Sequence, residues 1–156
     1  MIVLGLDLSM SKTGVAVFND WNLIHTELIE PKHKSPKPKT DRSNYYGLML
    51  ADYYHRFNQL ITEYEPEYVA IERGFSRFNT STQASYRVHG IANMACRNIS
   101  IISFPPKESK KSFTGKGSAK KHEMILFAKV KYGVDVSEDE ADAIAVAECL
   151  IKELKI

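Results

Sequence analysis

Short apolar runs and longer amphipathic segments alternate along the chain. The continuous apolar run 2–6 is rich in β-branched residues and predicts a strand buried on both faces. Runs at 14–18 and 23–30 follow after short turns, which predicts an antiparallel meander. Two later runs, 68–71 and 99–104, predict a fourth and a fifth strand.

Apolar residues recur at helical spacing in four other segments. The predicted helices span 43–65, 82–97 and 118–133, and a fourth begins after Ser137. Ser118 is expected to cap the third helix. Ser137 and Glu140 have the spacing of a capping box, which predicts a helix start. The order of these elements is that of an α/β fold in which the first and fourth strands are able to lie parallel and side by side.

An acidic cluster opens the last predicted helix. At about 100° per residue, Asp139 and Asp142 lie about 60° apart, on the apolar stripe that is expected to be buried. Glu138, Glu140 and Glu148 turn away from that stripe, so they are expected to be solvated. Asp139 and Asp142 are either ordinary first-turn acids, which the helix dipole favours, or ligands of a metal ion.

Two of the predicted strands end in a carboxylate. Asp7 follows the first strand directly, and Glu72 follows the fourth. As parallel neighbours, these strands would bring both acids to the carboxyl edge of the sheet, where α/β folds place their functional sites. The alternative for Asp7 is a structural role, because aspartate is also common at the start of turns. The last helix is then able to bring Asp139 and Asp142 over the same edge.

Four converging carboxylates without neighbouring arginines repel one another unless hard cations bind between them. Oxygen-only ligands favour Mg²⁺ or Mn²⁺ over Zn²⁺. Two such ions about 3.5–4 Å apart activate a water and stabilise the leaving oxygen in phosphodiester hydrolysis. The four acids therefore predict a site for two Mg²⁺ ions, with Mn²⁺ as a substitute.

The lysines are concentrated in one segment. The net charge is only +2, but 107–121 contains six lysines and one glutamate. Few apolar side chains are interleaved, so this segment is expected to stay out of the core and to form either a phosphate-binding surface or a solvated charged face. The lysines predicted to contact DNA are Lys110, Lys111, Lys116, Lys120 and Lys121.

Two loops add to the nucleic-acid chemistry. Residues 31–42 combine prolines and lysines with nothing to bury, which predicts a mobile basic loop, either a solvated connector or an arm that attracts phosphates. The loop after Glu72 places Arg73 and Arg77 beside Phe75. Arginines suit phosphates and an aromatic ring suits unstacked bases, so these three side chains are predicted to bind DNA.

Length and composition bound the remaining possibilities. With 156 residues, 44% of them apolar, the chain suits one compact domain, 1–156, with a sizeable core. Cys96 and Cys149 lie far apart without metal-binding spacing, so they are expected to be reduced thiols. Neither a targeting segment nor a membrane span is recognisable, so a cytoplasmic location without membrane contact is expected.

Four motifs stand in a defined order along the chain. They are the strand that ends in Asp7, Val69-Ala70-Ile71-Glu72 with Phe75 three residues later, Gly115-x-Gly117-Ser118-Ala119-Lys120-Lys121, and Asp139-x-x-Asp142-Ala143. Their order and spacing resemble the RuvC-like Holliday junction resolvases of the ribonuclease H-like superfamily, over essentially the whole chain. This resemblance implies a mixed five-stranded sheet flanked by helices and an endonuclease that resolves four-way junctions and other branched DNA.

The resemblance also implies roles for individual residues. The four carboxylates named above would hold the metal ions, Phe75 would wedge against bases near the junction, and Lys110 and Lys121 would contact the DNA backbone. The family works as a homodimer packed largely through the helix at 82–97. Paired nicks would leave 5′-phosphate and 3′-hydroxyl ends.

Two departures from the family pattern are visible. Leu8-Ser9 stands where the cellular enzymes usually have Pro-Gly, and Arg73-Gly74 replaces a bulkier pair before the aromatic residue. These differences resemble bacteriophage members, which would act in a bacterial host cell. They bear on the cleavage-sequence preference more than on the chemistry.

Two other functions share parts of this pattern. A protein that binds branched DNA without cutting it would need the same lysines and Phe75. Nucleotide-binding proteins of the actin and sugar-kinase type also end their first strand in an aspartate, but their phosphate loop is richer in glycine than residues 9–13.

Overall fold

The computed structural model describes residues 1–33, 43–74 and 80–154, and these ranges form one sheet with helices on both faces. The strands in the described residues are β1 (Ile2–Asp7), β2 (Thr13–Asn19), β3 (Asn22–Ile29), β4 (Tyr68–Glu72) and β5 (Ser100–Phe104). The helices are α1 (Ser43–Tyr64), α2 (Thr80–Ala95), α3 (Pro106–Thr114), α4 (Lys121–Tyr132) and α5 (Glu138–Glu153). No helix within the described ranges is long and apolar enough to cross a membrane.

The sheet is mixed and has the strand order β3-β2-β1-β4-β5. β1 pairs antiparallel with β2 and parallel with β4, and β4 pairs parallel with β5. The carboxyl ends of β1 and β4 therefore lie at one edge of the sheet, next to each other. The predicted α/β fold with a mixed five-stranded sheet is confirmed.

Strand alternation divides the core into two layers. Successive side chains of a strand point to opposite faces, so Val3, Gly5 and Asp7 of β1 share one face, while Leu4 and Leu6 share the other. Val3 belongs to the cluster that contains α5, and Leu4 and Leu6 belong to the cluster formed with α1 and α2. Asp7 therefore points toward the α5 side of the sheet.

α5 lies directly on the sheet because two glycines leave room for it. A Cβ atom on Gly5 would lie 2.3 Å from the carbonyl oxygen of Ala143. A Cβ atom on Gly14 would lie 1.9 Å from the carbonyl oxygen of Asp139. Such distances are far inside van der Waals contact, so helix backbone and strand backbone meet without intervening side chains.

α5 is also covered on its outer side, which the sequence pattern does not predict. Residues 141–151 are all buried, because α3 and α4 pack on the face of α5 that points away from the sheet. Glu148, expected to be solvated, is completely buried. The ammonium groups of Lys131 and Lys152 each form a 2.7 Å ion pair with its Oε1, which has no hydrogen-bond partner of good geometry. The Tyr132 hydroxyl donates to its Oε2 at 2.8 Å.

The lysine-rich segment contains a helix that the sequence pattern does not predict. Pro106 starts α3, a position where the missing N–H of proline costs no hydrogen bond, and Gly115 ends it with φ 82°. Ser109, Phe113 and Ala119 are buried, so the expectation that 107–121 stays out of the core is wrong for these three residues. Ser109 and Phe113 lie four apart, on one face of a helix that is otherwise polar.

Two predicted helix starts have different outcomes. Ser137 caps α5 and forms the predicted capping box: its hydroxyl accepts from the Glu140 N–H at 3.3 Å, and its own N–H donates to the Glu140 carboxylate at 2.8 Å. Ser118 is not the cap of α4. The capping position belongs to Lys120, whose N–H donates to the Glu123 carboxylate at 2.7 Å, and this backbone contact replaces a serine cap.

Candidate active site

Asp7 and Glu72 face the same layer of the protein at the same edge of the sheet. Asp7 is the last residue of β1 and Glu72 is the last residue of β4. Ala70, two residues before Glu72, belongs to the α5 cluster, so Glu72 points to the same face as Asp7. The prediction that these acids meet at a strand edge agrees with this register.

α5 brings its two acids to this edge through its contact with β2. Gly14 pairs with Asp7 across the β1–β2 ladder, and it contacts the backbone of Asp139. Asp142 follows one turn later and is only 7% exposed. Its Oδ1 is buried without a hydrogen-bond partner, with the ammonium of Lys110 at 3.7 Å, beyond hydrogen-bond distance.

The four carboxyl groups interact electrostatically. Burial raises the pKa of Asp7 well above its ordinary range, and the charges of Glu72, Asp142 and Asp139 raise it further. Burial and the charge of Asp142 raise the pKa of Glu72 to about 7, against the effects of Lys110 and of a hydrogen bond from Ser109. This mutual dependence means that the four groups form one cluster.

Different lysines lower the pKa values of the two acids of α5. Burial raises the pKa of Asp142, and Lys110 opposes that shift. Burial and Glu138 raise the pKa of Asp139, whereas Lys12 and Lys121 lower it. Lys12 is thus an electrostatic neighbour of the site.

α3 contributes two contacts that sequence reasoning missed or assigned differently. The Ser109 hydroxyl donates to Glu72 Oε2 at 3.3 Å and to the carbonyl oxygen of Pro106 at 3.1 Å. The Lys110 ammonium lies 3.7 Å from Asp142 Oδ1, its charge lowers the pKa of Glu72, and its side chain is only 20% exposed. The signal for α3 was the proline pair before it and the spacing of Ser109 and Phe113, which is too short a pattern to be decisive.

The cluster has the chemistry of a divalent-cation site. Its donors are all carboxylate oxygens, one of them is buried without a hydrogen bond, and burial together with the neighbouring acids raises the pKa values of Asp7 and Glu72. Within the described ranges, no group of three or more His, Cys, Asp and Glu side chains is arranged so that it could hold a metal ion. These residues fit a hard cation by donor type and charge.

The other residues predicted to contact DNA are exposed or lie outside the described ranges. Lys111, Lys116, Lys120 and Lys121 are exposed, and so is Arg73, immediately after Glu72. Lys121 forms a 2.7 Å ion pair with Glu138, one of the three acids expected to be solvated, and Lys116 pairs with Glu123 at 3.5 Å. Phe75 and Arg77 lie outside the described residues.

The predicted basic loop is described only at its start. Lys32 and His33 both contact Asp52 of α1: the Lys32 N–H donates to its carboxylate at 3.1 Å, and His33 Nδ1 lies 2.9 Å from the same oxygen. Residues 34–42 lie outside the described ranges.

Comparison with known proteins gives a consistent result. The profile of the family described as Crossover junction endodeoxyribonuclease RuvC matches residues 3–150. The RuvC enzyme of Brachyspira hyodysenteriae is 31% identical over 155 residues, which cover 94% of this chain and 91% of that protein. The Rickettsia akari enzyme is 31% identical over an alignment of 163 positions, which covers 99% of this chain and all of the relative.

Solved structures agree in fold. Thermus thermophilus RuvC superposes with a TM-score of 0.75 at 21% identity, covering 99% of this chain and 96% of that one. The same enzyme in complex with Holliday junction substrate gives a TM-score of 0.75 at 22% identity, over 96% and 92% of the two chains. The family resemblance predicted from the motifs is confirmed, and this chain belongs to the RuvC family of crossover junction endodeoxyribonucleases.

Proposed function

We propose that this protein resolves four-way DNA junctions by metal-dependent phosphodiester hydrolysis, with Asp7, Glu72, Asp139 and Asp142 as the metal ligands. The observation that carries the proposal is the convergence of four acids with raised pKa values beside a lysine-bearing helix. Membership of the RuvC family supports the reaction class. One relative of known structure was solved with Holliday junction substrate, which supports the choice of DNA.

The carboxylates are suited to two Mg²⁺ or Mn²⁺ ions, which when bound would activate a water and neutralise charge at the phosphate. Glu72, with a pKa of about 7, has to be deprotonated before it serves as a ligand. Lys110 balances part of the negative charge of Asp142 in the metal-free protein. Its ammonium, 3.7 Å from Asp142 Oδ1, is also suited to hold a phosphate of the cleaved strand at the cluster.

The surrounding side chains would position the DNA. The exposed lysines of the 107–121 segment are suited to backbone phosphates, and the charge of Lys121 acts on Asp139. Arg73 follows Glu72 directly, and Phe75 and Arg77 come next in the sequence. We propose that the arginines hold phosphates and that Phe75 contacts unstacked bases at the junction centre. Because the proposed substrate is cellular DNA, a cytoplasmic location is part of the proposal.

A homodimer would present one site to each of two opposed strands, giving paired nicks with 5′-phosphate and 3′-hydroxyl ends. The helix predicted at 82–97 to form the dimer contact uses one face within its own protomer, where Val88, Ala92 and Ala95 are buried. The outward face of α2 instead carries the half-exposed side chains of Tyr86 and Met94. We propose that this outward face forms the dimer contact.

The test is cleavage of a synthetic four-way junction by wild type and by Asp142→Asn. Without this ligand, single-turnover cleavage in Mg²⁺ is expected to fall by about 10²–10³-fold or more. Junction binding measured in Ca²⁺ should remain. Asp135→Asn, which changes an acid with 82% of its side chain exposed just before α5, is the matched control and should cut normally.

Two results would contradict the proposal. Wild-type protein that binds junctions but does not cut them with Mg²⁺ or Mn²⁺ would identify a binding protein without nuclease activity. Full activity of Asp142→Asn would remove this residue from the metal site.

A further inference from the structure

A second lysine lies on the other side of the carboxylate cluster from Lys110. Strand order puts β4, which carries Glu72, on one side of β1, and β2 on the other. Lys110 approaches from the β4 side, through α3. Lys12 is the residue immediately before β2, in the turn that follows Asp7. It was not among the lysines predicted from the basic segment.

The backbone of this turn is held in place by its own side chains. Ser9 Oγ donates to the Lys12 carbonyl oxygen at 2.6 Å and accepts from the Lys12 N–H at 3.2 Å. The hydroxyl of Thr13, which is completely buried, donates to the Ser9 carbonyl oxygen at 3.3 Å. These hydrogen bonds therefore fix the Lys12 backbone beside the site.

Two helices anchor the same turn from outside. Ser85 of α2 donates its hydroxyl hydrogen to the carbonyl oxygen of Leu8 at 3.3 Å. Tyr53 of α1, a completely buried side chain, donates to the carbonyl oxygen of Met10 at 3.4 Å. The turn is thus a fixed part of the sheet edge.

Lys12 is close to the acids. Gly14, two residues after Lys12, contacts the Asp139 backbone and pairs with Asp7. The positive charge of Lys12 is one of the influences on Asp139, as described above. Its side chain is therefore suited to reach a phosphate bound at the cluster.

The present partner of Lys12 holds it weakly. Its ammonium lies 3.1 Å from Glu30 Oε1, with 50% and 58% of the two side chains exposed. Ion pairs of this exposure contribute little to stability, because water and salt screen them. A phosphate, which offers several oxygens and more charge, would compete well for the ammonium.

We propose that Lys12 contacts a backbone phosphate of the strand being cut, so that this strand passes between Lys12 and Lys110 across the carboxylate cluster. This inference rests on the proposed function, because it concerns the same DNA site. It assigns a DNA contact to the turn that replaces the usual Pro-Gly of the cellular enzymes.

The test compares Lys12→Gln with Lys129→Gln on a synthetic four-way junction in Ca²⁺, at several salt concentrations. Lys129 is the matched control, since it is 59% exposed, pairs with an exposed acid, Asp135, at 2.6 Å, and lies at the far end of α4. Losing one phosphate contact should lower the slope of log K against log salt by about 0.9 and raise the Kd about 3–10-fold at low salt. Lys12→Arg should restore both quantities, and Lys129→Gln should match wild type.

The outcomes separate this inference from the proposed function. Lys12→Gln with the Kd and salt slope of wild type would overturn it, and so would a loss of cleavage with unchanged binding. A thermal melt equal to that of wild type excludes misfolding as the cause of weaker binding. If wild-type protein itself neither binds nor cuts the junction, the proposed function fails, independently of Lys12.

Discussion

At the scale of single residues, Glu72 illustrates how burial and like charge act on one side chain. Its pKa rises from 4.5 to about 7, so the folded protein holds a proton that the unfolded chain releases. A group with a raised folded-state pKa stabilises the fold below its unfolded pKa, and this contribution is lost as the pH rises from about 4.5 through about 7. Metal-free protein should therefore lose stability over this range.

Glu72→Gln removes this charge and should reverse part of the loss. In EDTA at pH 8, we expect the variant to be more stable than wild type by about 1–3 kcal/mol in urea unfolding, and little different at pH 5. Mg²⁺ should stabilise wild type more at pH 8 than at pH 5, and should stabilise the variant much less. Asp135→Asn should follow wild type throughout. A variant that is less stable than wild type at pH 8 in EDTA would contradict this account of the cluster.

The site residues differ in how predictable they were. Asp7 and Glu72 each follow an apolar run directly, and Asp139 and Asp142 share the apolar side of a helix, so pattern alone brought them together. Ser109 has no such signal, because a serine in a lysine-rich segment is uninformative until its burial is known.

At the scale of elements, the contact of α5 with the sheet depends on glycines. Gly14→Ala would place a methyl group 1.9 Å from the Asp139 carbonyl oxygen, so α5 or β2 has to shift. We expect a loss of about 1–3 kcal/mol in the free energy of unfolding. Junction cleavage should fall more than binding, because Asp139 moves.

Gly47→Ala is the control for this substitution. A Cβ atom on Gly47 has open space around it, and alanine favours a helix over glycine by roughly 0.5–1 kcal/mol. This variant should therefore be as stable as wild type or more stable, with unchanged cleavage. Equal stability of Gly14→Ala and wild type in urea unfolding would show that the helix does not rest on β2 as described.

The elements were predictable where apolar residues dominate them. The five strands and the helices at α1, α2, α4 and α5 follow from such periodicity. α3 did not, because Phe113 is its one large apolar side chain, and its fold depends on the proline before it and on packing against α5. The burial of Glu148 was missed for a related reason, since helical periodicity does not reveal that a second layer of helices covers α5.

At the scale of the whole molecule, the outward face of α2 is the proposed dimer contact. Met94→Glu places a charge on a side chain that is 54% exposed in the protomer and that the dimer would bury. We expect a monomeric mass by sedimentation at micromolar concentration, and loss of paired nicking. Val130→Glu, at a 79% exposed apolar position on α4, is the control and should remain dimeric. A monomeric wild type would remove the basis of this prediction.

α5 has one further consequence for how the protein meets its substrate. Two of the four acids belong to α5, whose residues 141–151 are all buried, and a third ends the central strand beneath it. Such a centre has little freedom to follow a moving phosphate. The adaptation needed for cleavage is therefore expected to come from the DNA, whose junction arms bend until the scissile phosphate fits a rigid protein.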